Sequence, residues 1–68
     1  MTVRLRAQSI QAAREQSGLS QRQLALEANV SRATITRIEE RGVKFYEARP
    51  TVADRLAKGL QIELARLK

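Results

Sequence analysis

The sequence predicts an all-α domain of five short helices, and three observations carry that reading. Apolar residues recur at helical spacing along the chain, and no segment reads as an alternating strand. Gly18, Gly42, Gly59 and Pro50 are the sparse punctuation, and they divide the chain into pieces of helical length. At 68 residues the chain makes one domain, spanning residues 1–68. A chain of this size buries only about 60% of its unfolded surface, so its stability is marginal.

The first helix is predicted over about residues 3–17. Ile10 and Ala13 share a face, Leu5 lies nearer the start, and Gly18 suits the left-handed residue that ends a helix. The second helix has the clearest start signal. Ser20 is the N-cap, Gln23 completes a capping box three residues later, and Leu19 with Leu24 forms the hydrophobic staple. Leu24, Ala25 and Ala28 make its inner face, and it stops near Asn29, a residue that tolerates positive φ.

Ser31 caps the third helix, with Val30 and Ile35 as the staple pair. Ile35 and Ile38 point inward, Arg32, Ala33, Thr36 and Arg37 fall on the outer side, and the helix is expected to end around Arg41. Residues 42–49 read as a loop. Pro50 and Thr51, the latter as cap, open a fourth helix in which Val52, Leu56 and Leu60 repeat every four residues. Ile62, Leu64 and Leu67 imply a short fifth helix, whose leucines belong either to the core or to a dimer surface.

Composition removes most catalytic chemistry. With no Cys and no His there is no thiolate, no imidazole base, no disulfide and no plausible zinc site. The seven acids are scattered and offer no carboxylate pair. No cofactor or metal is implied, and an enzyme is not expected. The longest apolar runs are two or three residues, which predicts neither a membrane span nor a signal peptide. A cytoplasmic, nucleoid-associated protein is the expectation.

Lys plus Arg is 13 against seven acids, for a net charge of +6. That excess in a small domain is the electrostatic footprint of a polyanion binder. Its Arg-rich character favours forked contacts to phosphate and guanine edges. The bland alternative is a solvated basic surface without a specific partner.

The second and third helices are joined by too short a turn to lie antiparallel, so they cross steeply. The runs Gly18-Leu19-Ser20-Gln21-Arg22-Gln23-Leu24-Ala25 and Val30-Ser31-Arg32-Ala33-Thr34-Ile35-Thr36-Arg37-Ile38-Glu39 resemble the Xre-type helix-turn-helix family of lambda-repressor-like and Cro proteins. The likeness continues through Pro50-Thr51 and Leu56-Ala57-Lys58 to Leu60, Ile62 and Leu64, and covers roughly residues 5–67. It implies a lambda-repressor-like domain with the helix-turn-helix at about residues 20–41. Three departures stand out. Asn29 replaces a common Gly, Gln61 stands where Gly usually ends the fourth helix, and the loop over residues 40–49 is longer than usual.

The resemblance implies a sequence-specific regulator of double-stranded DNA, by analogy a repressor, with the third helix in the major groove. On that basis Arg32, Ala33, Thr36 and Arg37 read bases, the two arginines as bidentate donors to guanine. Thr34 reaches base or backbone. Arg37 has a second reading, as a phosphate contact or in an ion pair with a neighbour such as Glu40. Gln21, Arg22, Ser31, Arg41 and Lys44 are the expected phosphate ligands, although capping alone explains Ser31. Family members usually pair on pseudo-palindromic operators, which implies a homodimer on DNA. A protein-interaction module, such as an antitoxin or phage modulator on the same fold, is the competing class.

Arg14 and Glu39 lie beside the apolar stripes of the first and third helices rather than opposite them. In the family an Arg and a Glu at these positions pair, which implies a structural, partly buried salt bridge here. The alternative is two exposed charges worth less than about 1 kcal/mol. Of the two aromatics, Phe45 and Tyr46, one is expected to cover the core.

Overall fold

The computed structural model describes residues 1–68. The chain is mostly helical, with four α-helices and one two-stranded sheet. Strand β1 (Val3–Arg6) leads into α1 (Ala7–Gln16), α2 (Gln21–Ala28) and α3 (Arg32–Ile38). Strand β2 (Phe45–Ala48), α4 (Pro50–Leu60) and a 3₁₀ turn (Leu64–Leu67) follow.

The expected strand-free, all-α fold is therefore corrected at two places. Residues 3–6, assigned to the first helix, pair antiparallel with residues 45–48, assigned to a loop. Val3-Arg4-Leu5-Arg6 alternates apolar and charged residues, the strand period, but over four residues that signal is weak without its partner. The pairing matches Val3 with Ala48, Arg4 with Glu47, Leu5 with Tyr46 and Arg6 with Phe45. Leu5 and Ala48 are buried and Tyr46 is half-buried, while Arg4, Arg6, Phe45 and Glu47 are exposed. The inner face of the ribbon thus joins the core.

Smaller corrections concern boundaries. Helix α3 ends at Ile38, with Glu39 as its cap, rather than at Arg41. Arg49 caps α4 and Pro50 occupies its first turn, where its missing N–H has no helical partner to lose; Thr51 lies inside the helix. The expected fifth helix is a single 3₁₀ turn. Its Leu67 is fully buried and Leu64 packs half-buried against the core, so Leu67 serves the core and not a dimer surface.

All fourteen buried residues are apolar, among them Leu5, Ile10, Leu24, Ile35, Ile38, Leu56 and Leu67, each essentially without solvent contact. Six of the fourteen are alanines, which lets helix backbones approach closely. The limit is reached at Gly59, which is not punctuation but part of α4. A Cβ there would lie 2.9 Å from the N, Cα and Cβ of Ala28, so α4 crosses α2 at a distance only glycine permits.

Helices α1, α2 and α4 end alike, with one left-handed residue followed by a backbone bond back to the last turn. Gly18, Asn29 and Gln61 take the positive φ values of 72°, 55° and 59°. The N–H groups of Leu19, Val30 and Ile62 then donate to the carbonyls of Arg14, Ala25 and Ala57. Gln61 makes the turn expected of glycine, at the steric cost of its Cβ.

Candidate nucleic-acid interface

The α2–α3 unit is set up by its two caps. The Ser20 hydroxyl accepts from the Gln23 N–H at 3.0 Å, and the Gln23 side-chain carbonyl accepts from the Ser20 N–H at 2.8 Å. This reciprocal box satisfies two groups at the start of α2 and commits the Gln23 side-chain oxygen to the cap. The Ser31 hydroxyl accepts from the Thr34 N–H at 3.2 Å and shares a hydrogen bond with the Thr34 hydroxyl at 2.8 Å. Only residues 29–31 separate the two helices.

Helix α3 buries Ile35 and Ile38 and exposes Arg32, Ala33, Thr36 and Arg37. The exposed face therefore has two arginines around two small residues. Neither arginine enters an ion pair, so the alternative of an Arg37 pair with Glu40 does not form. Arg22, Arg41 and Lys44 are likewise exposed and unpaired. Only Arg4, Arg14 and Lys58 of the thirteen cations lie within ion-pair distance of an acid. The remaining ten leave a surface with unneutralised positive charge.

Gln21, the expected phosphate ligand at the start of α2, also has protein partners. Its amide donates to Glu39 Oε1 at 3.1 Å and its carbonyl accepts from the Thr36 hydroxyl at 3.3 Å. Each end of the side chain thus has one protein partner, and the second amide hydrogen and the backbone N–H at the start of α2 remain for an anion. Sequence reasoning missed this bridging role. A glutamine at a helix start reads equally well as outward or inward until its neighbours are known.

Arg14 and Glu39 form the centre of the network. Arg14 Nε donates to Glu39 Oε2 at 2.6 Å and Nη2 to Oε1 at 2.9 Å, a bidentate fork. The third arm, Nη1, donates to the Leu19 carbonyl at 2.7 Å. The side chains are only 13% and 5% exposed. Burial pushes the Glu39 carboxyl up, but hydrogen bonds from Arg14 and Gln21 and the Arg14 charge outweigh it, and it sits below the usual carboxylate range. The hydrogen bond to Glu39 likewise raises Arg14 against the effect of burial. Both groups are charged at neutral pH. One guanidinium fastens α1, the residue before the Ser20 cap and the end of α3 together.

A family model described as helix-turn-helix matches residues 10–67. The chain belongs to the Xre-type, lambda-repressor-like helix-turn-helix family. No curated protein and no solved structure matches this sequence. The family is one of DNA-binding regulators, and the outward arginines of α3 have the chemistry that role requires. The helix-turn-helix match begins inside α1 at Ile10, so β1 lies before it while β2 lies within. No group of three or more His, Cys, Asp or Glu side chains is placed to hold a metal ion, and no helix is long and apolar enough to cross a membrane.

Proposed function

We propose that residues 1–68 act as one sequence-specific, double-stranded DNA-binding unit, a transcriptional repressor working on the nucleoid in the cytoplasm. Helices α2 and α3 form its helix-turn-helix, and α3 enters the major groove. The observation that supports this best is the outer face of α3, where unpaired Arg32 and Arg37 flank Ala33 and Thr36 on a helix braced from behind. Small residues between two forks allow close approach to the bases, and each fork matches the O6 and N7 acceptors of guanine.

Phosphates are held by Arg22, the free amide hydrogen of Gln21 and the first N–H groups of α2 on one side, and by Arg41 and Lys44 on the other. The Ser31 hydroxyl adds a phosphate contact where capping leaves its proton free. A single unit of this size makes few base contacts, so two copies bind a pseudo-palindromic operator with half-sites about 34 Å apart.

Selection of bound duplexes from a random pool at stated salt tests the reading. The expected product is a two-fold symmetric consensus. Equal recovery of all sequences would remove the sequence-specific regulator. Arg32→Ala is expected to relax the consensus at one position of each half-site. Arg22→Ala is expected to weaken all duplexes alike and to lower the salt slope by about 0.9. Identical behaviour of the two variants would overturn the assignment of α3 as the reading helix.

A further inference from the structure

We propose that the outer face of the β1–β2 ribbon is a second contact on the same duplex. Arg6 holds a phosphate beyond the one assigned to Lys44, and the Phe45 ring packs against the groove edge between them. The inference rests on the DNA-binding reading above.

The ribbon is built to show this face. Strand alternation puts Leu5 and Ala48 into the core and leaves Arg4, Arg6, Phe45 and Glu47 outside. Phe45 is 51% exposed, although its neighbour Tyr46 is tucked against the core. An outward phenylalanine contributes little to a core already closed from the other side. Its surroundings are cationic. Arg6 lies directly across the ribbon from it, and the Arg4 guanidinium carbon stands 5.2 Å from the ring centre.

The single acid on this face is occupied. Glu47 accepts from Arg4 Nε at 2.7 Å and from the Thr2 hydroxyl at 2.9 Å. Arg6 and Lys44 have no such partner, and their charge is free for an anion. Charge complementarity thus favours a polyanion. A second copy docking face to face would set Arg4 and Arg6 against their own kind.

Position supports the same occupant. The residues between the end of α3 and Phe45, 39–44, let the two lie no more than about 25 Å apart even when extended. Each strand of a duplex presents a phosphate about every 3.4 Å of helix axis, so a span of that size covers several phosphates flanking those met by α3. The Ala7 N–H donates to the Lys44 carbonyl at 3.0 Å and ties the base of the ribbon to the start of α1. The contact is therefore presented on a fixed element rather than a loose loop.

The chain has no tryptophan, so Phe45→Trp installs a single fluorescent reporter at the proposed contact. The probe is a labelled random-sequence duplex about three helical turns long, about 30 base pairs, whose anisotropy reports binding independently. At saturation the tryptophan emission is expected to be quenched and its accessibility to acrylamide to fall about two-fold on burial of the ring. In the otherwise native chain, Arg6→Ala is expected to lower the salt slope by about 0.9 with an unchanged circular dichroism spectrum. Anisotropy that rises while emission and acrylamide quenching stay constant would overturn the ribbon contact and leave the DNA-binding reading standing. Absence of any anisotropy change at low salt, where the backbone charge alone binds a basic groove-reading domain, would overturn both. An emission shift that follows protein concentration without duplex would also overturn it, in favour of a second copy on this face.

Discussion

The α2–α3 unit and the smaller β1–β2 ribbon are held by different kinds of contact. In the α2–α3 unit the bonds that start each helix are local. Ser20 with Gln23 and Ser31 with Thr34 each close over three residues. In the ribbon every pair joins the start of the chain to its middle; the Thr2 bond to Glu47 spans 45 residues. An isolated two-stranded ribbon is marginal in water, and this one persists because Leu5 and Ala48 are part of the common core. The difference shows that the helix starts of the first unit are specified by nearby sequence, and the ribbon by the body it rests on.

The largest expected effect lies where the α2–α3 unit is tied to the rest. Arg14→Ala leaves Glu39, with a side chain only 5% exposed, without its partner and is expected to cost about 3–5 kcal/mol. For a chain this short that is most of its stability, and urea denaturation followed by circular dichroism reads it. The same pair sets an acid limit. The Glu39 carboxyl is lowered in the fold, so its contribution is complete above the unfolded glutamate value of about 4.3 and is lost as pH falls through the folded value. Thermal melts between pH 7 and pH 3 are expected to show this loss below about pH 4, and Glu39→Gln is expected to flatten it.

Gly59→Ala drives a Cβ into the backbone of Ala28 and is expected to cost about 1–3 kcal/mol in the same denaturation assay. Removing a local cap is milder. Ser20→Ala is expected to cost about 1 kcal/mol, a fall of about 4–8 °C in melting temperature. The smallest effect belongs to the ribbon. Arg4→Ala breaks the exposed pair with Glu47 and is expected to leave the melting temperature unchanged. A large fall would make the ribbon a structural member equal to the α2–α3 unit and erase the contrast.

Legibility in the sequence follows the same division. Both serine caps, the left-handed turn at Asn29 and the inward isoleucines of α3 could be read directly because the chemistry that fixes each lies within a few residues. The end of α1 at Gly18 was legible for the same reason, whereas the end of α4 at Gln61 followed only from the family resemblance. The ribbon was not, since Val3-Arg4-Leu5-Arg6 becomes a strand only beside residues about 40 positions away, and closing such a loop is a tertiary event. Gly59 looked like a break for a related reason. Nothing near it in sequence reveals that Ala28 lies against it. At the candidate site, the outward residues of α3 followed from periodicity, whereas the inward turn of the Gln21 amide depended on Thr36 and Glu39 together.

The Arg14 fork has a consequence for how binding can be measured. Its charges are shielded from mobile ions, and neither group changes protonation near neutrality. Added salt therefore weakens the outer cations without loosening the support behind α3. With no histidine in the chain, modest pH drift leaves that support equally untouched. A salt titration of this protein near pH 7 thus reports ions displaced from the nucleic acid, with no concealed contribution from a protein that changes shape under the same conditions.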